Sequence, residues 1–540
     1  MSERLSLATI ALACLALGFV LYVSTGHDDA YITYWASHAL ATTGEILNYN
    51  GDRVEQSSSL LHTLLLAGLA RATGASLVSL GYWLGVLGGA LTVLRAPALA
   101  RALGADAPRA VAAAVGTTPV LLYWSFGGLE TTLAAWLQLE AALLGAQLVA
   151  GARSPLSPLV WLVTFAFAAV RPEAMLVLGA ALVVWLAAAA PRRAPGARPL
   201  ALWLVVALAA LAALVTFRLA YFGAPFPQPV IAKRGGFEPG RLLTGLDYAA
   251  KLFTRPFAPA LAALVVAAPF LAWRERAAPS ARLFVLLLVG ANLAFAVCVG
   301  GDSMIGGRFF APVAALAVAS GAAALPPRWL ASRTLFAALL AAQLAGVLGL
   351  AAAGTGRPLW VWLADDPRDP ELSLAHWSER ANRVHRRDLH FAASAARVIT
   401  SLLARQERVS IASVQAGMVV YYTKLRFGDR VVFYDLKALS TRDFMFLRDT
   451  AGLGGNSWGL DLDLPEYLAF AREHREPAFH PDLLFDIRPN GPLAEKNGYA
   501  TVLEQAQESP GFALALGPLR LGGALQLYQW AAVRRELLAR

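Results

Sequence analysis

The chain has 540 residues, of which 57% are hydrophobic and 15% charged, with a mean hydropathy of +0.53. Ordinary soluble domains carry about 25% charged residues, so a wholly soluble enzyme is excluded and much of the length belongs in lipid. The formal charge of +10 and pI near 9.8 would point to nucleic acid in a soluble protein. Here arginine-rich short loops satisfy the positive-inside rule instead, and no nucleic acid is expected as a partner.

The first apolar block, Leu5 to Val23, follows Arg4. No small-residue cleavage site precedes His27, Asp28 and Asp29, so it reads as a retained span and not as a signal peptide. Further blocks near the roughly 20 residues that cross a bilayer as a helix are Leu77 to Leu94, Ala110 to Trp124, Leu129 to Ala150, Leu159 to Val170 and Ala174 to Ala190. They continue with Leu200 to Tyr221, Ala258 to Trp273, Leu283 to Val299, Ala311 to Leu325 and Leu335 to Ala353. With the N-terminus cytoplasmic, alternate crossings put Arg95, Arg101, Arg109, Arg153, Arg192, Arg193, Arg198, Arg274, Arg276, Arg282, Arg328 and Arg333 on one side, as the rule requires. The run Leu60 to Ala70 is too short to span and reads as a helix on the outer membrane surface. The expected architecture is a polytopic α-helical membrane protein with about eleven spans over residues 1–353, a first outer loop over 26–76, and residues 354–540 outside. Cys14 and Cys298 both lie in apolar blocks, which leaves no disulfide framework and no cysteine-ligated zinc.

Against that topology Asp28, Asp29, Glu45, Asp52, Glu55, Glu130, Arg171, Glu173, Lys233, Asp302 and Arg308 fall at outer ends of spans or in outer loops. The functional face is therefore expected outside. Wet loops account for Glu45 and Asp52, whereas Glu130 and Glu173 begin apolar blocks, where charge is costly unless it faces a cavity.

Asp28 and Asp29 follow the first span directly. A carboxylate at that boundary can act as general base toward a hydroxyl or cap a helix over Tyr31 to Leu40; residue type alone favours capping. Turn chemistry explains Asn50, Gly51 and Asp52 and leaves Glu55 and His62 over, the latter reading first as an anchor or packed residue. In SFGGLETT, two glycines permit an unusual path before Glu130. In VRPEAM, Arg171 can hold a phosphate by paired hydrogen bonds or pair internally with Glu173. The prolines of GAPFPQPVIAK place Lys233 on an irregular stretch suited to a lipid phosphate. The loop GGDSMIGGRFFAP sets Asp302 and Arg308 either to close around an anion or to neutralise each other.

The ordered series HDDAYI, NYNGDRVEQSSSLL, GGLETTL, RPEA, GAPFPQPVIAK and GGDSMIGGRFFAP resembles the GT-C glycosyltransferases that use polyprenyl-phosphate sugars, particularly the terminal arabinofuranosyltransferase AftB group. The resemblance covers most of the membrane part and, more weakly, the tail. It implies Asp28 or Asp29 as catalytic base. It further implies Arg171, Lys233 and Arg308 at the donor phosphate, and Glu55, His62, Glu130, Glu173 and Asp302 around the sugar or acceptor. Gln56, Ser57, Ser58 and Ser59 depart from the glycine and aromatic that commonly follow the family glutamate, and the family tryptophan near His62 is missing; both bear on sugar and acceptor specificity.

After Gly354 the composition changes to DDPRDPELS and a charged helical stretch through His390. Strands are expected at Val409 to Ser413, Val431 to Asp435 and Leu483 to Ile487, giving an extracytoplasmic α/β domain. It would handle acceptor, cover the site or serve as a packing cap. Asp435, His480 and Asp482 have no recognised metal-ligand spacing, so no metal is assigned and no cofactor is required, a divalent cation being left open. The sequence thus points to a multi-pass transferase of the bacterial inner membrane. It would move a sugar such as D-arabinofuranose from polyprenyl phosphate to a cell-envelope glycan or glycoconjugate. The rival is a transporter or lipid-linked sugar flippase, whose site would lie near the midplane in repeated halves; the charges gather instead on one side, and no internal repeat stands out.

Overall fold

The computed structural model describes residues 2–22, 27–192, 194–233, 239–255, 258–275, 280–302, 304, 306–325, 332–350, 386–413, 416–435, 439–440, 481–488, 499–508 and 526–534. The expected boundary at 353/354, the DDPRDPELS stretch and His480 lie outside them.

The membrane part is built from helices α1 (Glu3–Tyr22), α2 (Ala30–Thr43), α3 (Leu60–Thr73), α4 (Leu77–Ala102), α5 (Pro108–Gly116), α6 (Pro119–Trp124), α7 (Thr131–Val149) and α8 (Pro158–Val170). It continues with α9 (Ala174–Ala189), α10 (Ala197–Phe222), α11 (Gln228–Lys233), α12 (Pro239–Thr254), α13 (Pro259–Glu275), α14 (Ala281–Cys298), α15 (Ala311–Ala324) and α16 (Arg333–Leu350). Among the described residues five helices, α1, α4, α7, α10 and α14, are long and apolar enough to cross a bilayer, or six if α12 and α13 count as one bent span. The other expected spans are shorter apolar helices, α8, α9, α15 and α16. Leu12, Leu162, Leu176, Val205 and Leu208 are exposed on this bundle, as lipid-facing side chains are. The fold is that of a polytopic helical membrane protein.

Local chemistry sets the ends of these helices. Ser59, Ser76 and Ser280 accept from the backbone N–H three residues on and start α3, α4 and α14. The expected span Ala110 to Trp124 is divided. Pro119 brings no N–H to a continuing helix, and the Thr117 and Thr118 hydroxyls donate back to Ala113 O and Ala114 O, 2.8 and 2.9 Å. In the opposite sense, α4 runs eight residues past the expected end at Leu94, carrying Arg95 on the helix. There Arg95 Nε and Nη2 donate to Glu140 on α7, 2.6 and 3.0 Å, and Trp136 Nε1 donates to the same carboxylate.

Helix α7 is the most enclosed of the spans. Its contact with α4 depends on small residues: a Cβ at Gly88 would meet the Thr132 and Leu133 backbone at under 3 Å, and Thr132 Oγ1 donates to Gly85 O at 2.7 Å. Without a hydrophobic drive between helices in lipid, close backbone approach and interhelical hydrogen bonds are what hold such pairs.

The C-terminal unit contains α17 (Arg386–Leu403), β1 (Val409–Ser413), α18 (Met418–Phe427), β2 (Val431–Asp435), β3 (Leu483–Arg488), β4 (Tyr499–Glu508) and β5 (Gln526–Arg534). The three expected strands are present, and the charged stretch through His390 continues as α17. The sheet order is β2-β1-β3-β5-β4, with β1 parallel to β2 and β3, and β5 antiparallel to β3 and β4. Helix α18 is the crossover that two parallel neighbours require. Asp435 accepts from Ser440 N and Oγ, and Asp482 from Ser410 N and Oγ and from Gln406 Nε2; both carboxylates brace loops. Among the described residues no group of three or more His, Cys, Asp or Glu gathers as metal ligands.

Candidate functional site

The candidate residues lie where helices end, and each end has a local cause. Pro172 disfavours helical geometry in the residue before it, and Arg171 is extended at φ −153°, ψ 143°, so α8 stops and its guanidinium is released between α8 and α9. Arg171 Nη1 donates to Glu130 at 2.6 Å, just before α7, and Nε donates to Glu173, just before α9. A guanidinium has five N–H donors, and these two bonds leave the rest of its fork for another acceptor. The connection from α14 to α15 brings Arg308 Nε to 2.8 Å from Asp302. The two internal pairings that stood as alternatives to anion binding are therefore both made, Arg171 with Glu173 and Arg308 with Asp302.

One aromatic ring joins these pairs. Arg171 Cζ lies 5.7 Å and Arg308 Cζ 5.8 Å from the centroid of Phe309, so two guanidiniums share a ring whose π face attracts cations. The Phe309 N–H donates to Tyr248 Oη on α12 at 3.1 Å, and Trp124 Nε1 donates to Gly306 O at 3.0 Å, which pins the loop. Lys233 ends α11 within the field of Asp29, Arg308, Asp302 and Arg171; burial lowers its ammonium pKa and Asp29 opposes that most. Burial alone would raise Glu130, but the positive charges around it, Arg171 foremost and Arg308 with it, outweigh burial and hold the carboxyl below its usual range. Around Arg171, burial works against the charge, while Glu173 and Glu130 overcome it and raise the pKa.

His62 is 1% exposed; it is buried, not an interfacial anchor. Neither ring nitrogen has a hydrogen-bond partner among the described residues, and burial pushes the imidazole down to about 4, with Glu130 opposing. It is neutral at pH 7.

The adjacent aspartates point to different places. Asp29 does not serve as the expected side-chain cap of α2: it precedes that helix with no capping bond, and the N–H groups of Ala30, Tyr31 and Ile32 go to the carbonyls of His27, Asp28 and Asp29. Asp28 Oδ1 instead accepts the Met418 N–H at the start of α18, 2.6 Å. Asp29 is the member of the pair felt by Lys233.

Glu55 is held elsewhere. Arg218 on α10 grips it through both oxygens, 2.7 and 3.1 Å, with both side chains buried. Sequence reasoning passed over Arg218, although a lone arginine in the apolar run LVTFRLAY is itself a sign of a buried partner. It also missed Glu140, a carboxylate halfway along α7, and Asn48 and Asn50, whose turn role is real but incomplete. Asn48 Oδ1 accepts from Asn50 N and Asp52 N, as turn chemistry predicts. Asn48 Nδ2 also donates to Ser440 O, and Asn50 both donates to Phe433 O, 2.7 Å, and accepts from Phe433 N, 2.9 Å. With Tyr421 packed edge-on against Tyr31 and Tyr34, the C-terminal unit sits on the first loop.

The fold and the site together define a polytopic membrane protein that gathers three cations, four carboxylates and a neutral imidazole at one end of its helices, with an α/β unit docked beside them. No protein-family model matches the sequence, and no curated protein does. Among solved structures it is similar to ArnT from Cupriavidus metallidurans bound to undecaprenyl phosphate, 14% identical over 97% of each chain with a TM-score of 0.48. It is also similar to the same protein in the apo state, 13% identical over 98% of each chain with a TM-score of 0.49.

Proposed function

We propose that this protein is a GT-C glycosyltransferase that transfers a pentose from polyprenyl phosphate to a cell-envelope glycan or glycoconjugate at the outer leaflet of the bacterial inner membrane. D-Arabinofuranose is the sugar named by the resemblance of its six loop motifs. The observation that carries the reading is the convergence of Arg171 and Arg308 on one ring, Phe309, within a charged cluster that also acts on Lys233 together with Asp29. That is the chemistry a phosphate leaving group and an attacking hydroxyl need together.

In the reaction, an acceptor hydroxyl oxygen attacks the anomeric carbon and a first-loop aspartate takes its proton. The bond from that carbon to the phosphate oxygen breaks with its electron pair, releasing polyprenyl phosphate. Arg171, Lys233 and Arg308 stabilise the charge that develops there. Glu130, Glu173 and Asp302 hold the guanidiniums in place; His62, whose ring nitrogens have no partner among the described residues, offers a donor and an acceptor to sugar hydroxyls and no charge to repel a cationic transition state.

The test is transfer from synthetic polyprenyl-phosphoryl arabinofuranose to an oligosaccharide acceptor by the purified protein, with Asp28→Asn and Asp29→Asn made separately. Transfer by wild type and its loss in one folded variant is expected. Donor binding without transfer across several donors and acceptors would replace this reading with that of a lipid-linked sugar transporter.

A further inference from the structure

We infer that Asp28 is the latch by which the C-terminal α/β unit holds the first loop in its working geometry, and that this leaves Asp29, not Asp28, as the base. The inference rests on the transferase reading and divides its two aspartates by what each touches. Asp28 accepts the Met418 N–H at 2.6 Å, one of the N–H groups that the first turn of α18 cannot satisfy within its own helix. The contact is charge-assisted and sits at the positive end of a helix dipole. A carboxylate so engaged is a poor proton acceptor, because protonation would weaken the bond that holds it.

The residue before Met418 fits the same contact. A Cβ at position 417 would fall on the Asp28 carboxylate itself, so only glycine leaves room for the approach. The start of α18 is thus shaped around Asp28. On the other side of the peptide, Asp29 makes no capping bond and is the leading favourable influence on Lys233. Fixing Asp28 therefore fixes the backbone that carries its neighbour Asp29. Asp28 acts as a positioning residue, and the site is complete only when the C-terminal unit is docked.

The experiment pairs hydrogen–deuterium exchange at Met418 with the transfer assay, in full-length wild type and in Asp28→Ala, Asp28→Asn, Gly417→Ala and Asp29→Asn. Asparagine keeps an oxygen to accept the Met418 N–H while removing the charge, so it is the conservative rescue. Removing the acceptor, or displacing it with a methyl at 417, should speed exchange at Met418 by about tenfold or more, as expected for loss of a charge-assisted bond at a locally opening end. Asp28→Asn should exchange more slowly than Asp28→Ala and transfer sugar at least about tenfold faster, with the acid limb of its kcat/KM profile still present. Asp29→Asn should keep Met418 protected and lose transfer. Unchanged protection in both Asp28→Ala and Gly417→Ala overturns the latch. Equal loss of transfer in Asp28→Asn and Asp28→Ala, with Met418 protected in the former, makes Asp28 the base and overturns the division. A wild type that transfers nothing strikes the transferase reading, while the exchange data still decide the latch.

Discussion

Glu55–Arg218 and Arg171 with Glu130 and Glu173 use the same two residue types, the first fully buried and the second partly so, and do different things. In the first, one guanidinium meets one carboxylate through two parallel bonds, so charge is balanced and the geometry is closed. In the second, one guanidinium serves two carboxylates on separate helices through single bonds. It also shares the Phe309 ring with Arg308. A matched bidentate pair leaves little for a ligand to gain. A crowded, unevenly matched one keeps donors and acceptors whose best arrangement depends on what else arrives, which is what a site that handles a charged substrate requires.

The comparison can be broken at each pair. Arg218→Met leaves Glu55 charged and buried, and such an uncompensated ion costs about 3–5 kcal/mol; we expect a collapse in thermal stability in detergent. Arg218→Met combined with Glu55→Met should recover most of it, since a buried pair is often replaceable by apolar residues. A double change that stays as unstable as the single one would show that the pair holds something beyond itself. At the other site Arg171→Met combined with both Glu130→Met and Glu173→Met, so that neither carboxylate is left unpaired, should also recover stability. Transfer, however, should stay down by roughly a hundred- to a thousandfold in kcat, the usual effect of removing a group aimed at developing charge. Transfer returning along with the fold would make Arg171 as structural as Arg218.

His62 sharpens the contrast through pH. Burial holds its folded-state pKa at about 4, against 6.5 for an exposed imidazole. Below pH 6.5 the unfolded chain takes up a proton that the folded chain refuses. The stability it contributes is therefore complete above pH 6.5 and is lost as pH falls toward 4, by roughly 3 kcal/mol at full extent. Melting temperatures measured from pH 7 to pH 4 should fall more steeply for wild type than for His62→Phe. Parallel curves would mean that His62 is protonated in the fold.

What the sequence disclosed follows from how far each signal reaches along the chain. Apolar blocks, proline stops and serine caps act within a turn or two, so the helices come out close to where the blocks lie, and β1, β2 and β3 begin where their apolar runs begin. The exception at α5 and α6 is also local: Pro119 sits inside the expected span and divides it. At the site, Glu130, Arg171, Glu173, Asp302 and Arg308 were legible because charge at the edge of an apolar block is unusual. Their mutual arrangement was not, since Arg171 and Glu130 are 41 residues apart and nothing in either neighbourhood names the other. Asp28 shows the limit most plainly. Its local pattern suggests a cap, and it does cap a helix, but one 390 positions away. Strands β4 and β5 were missed because TVLEQAQES and LQLYQW mix polar with apolar residues and lack a sustained apolar run.

The smallest expected effect tests the same long-range docking without touching a charge. Among the described residues β2 is an edge strand, paired with β1, and an edge leaves backbone N–H and C=O groups open. Asn50 answers both groups of Phe433 with its one amide, donating to the carbonyl and accepting from the N–H; a side-chain amide carries its donor and its acceptor side by side, as a backbone edge does. Asn50→Ala removes two partly buried hydrogen bonds and should weaken docking of the C-terminal unit by about 1–2 kcal/mol, seen as faster limited proteolysis after β2. Asn50→Asp keeps the acceptor and loses the donor, so it should fall between. Because Asp28 still holds α18 in both variants, transfer should drop only a few-fold. A loss as large as that of Asp28→Ala would mean that the edge of β2, and not the start of α18, carries the coupling to the site.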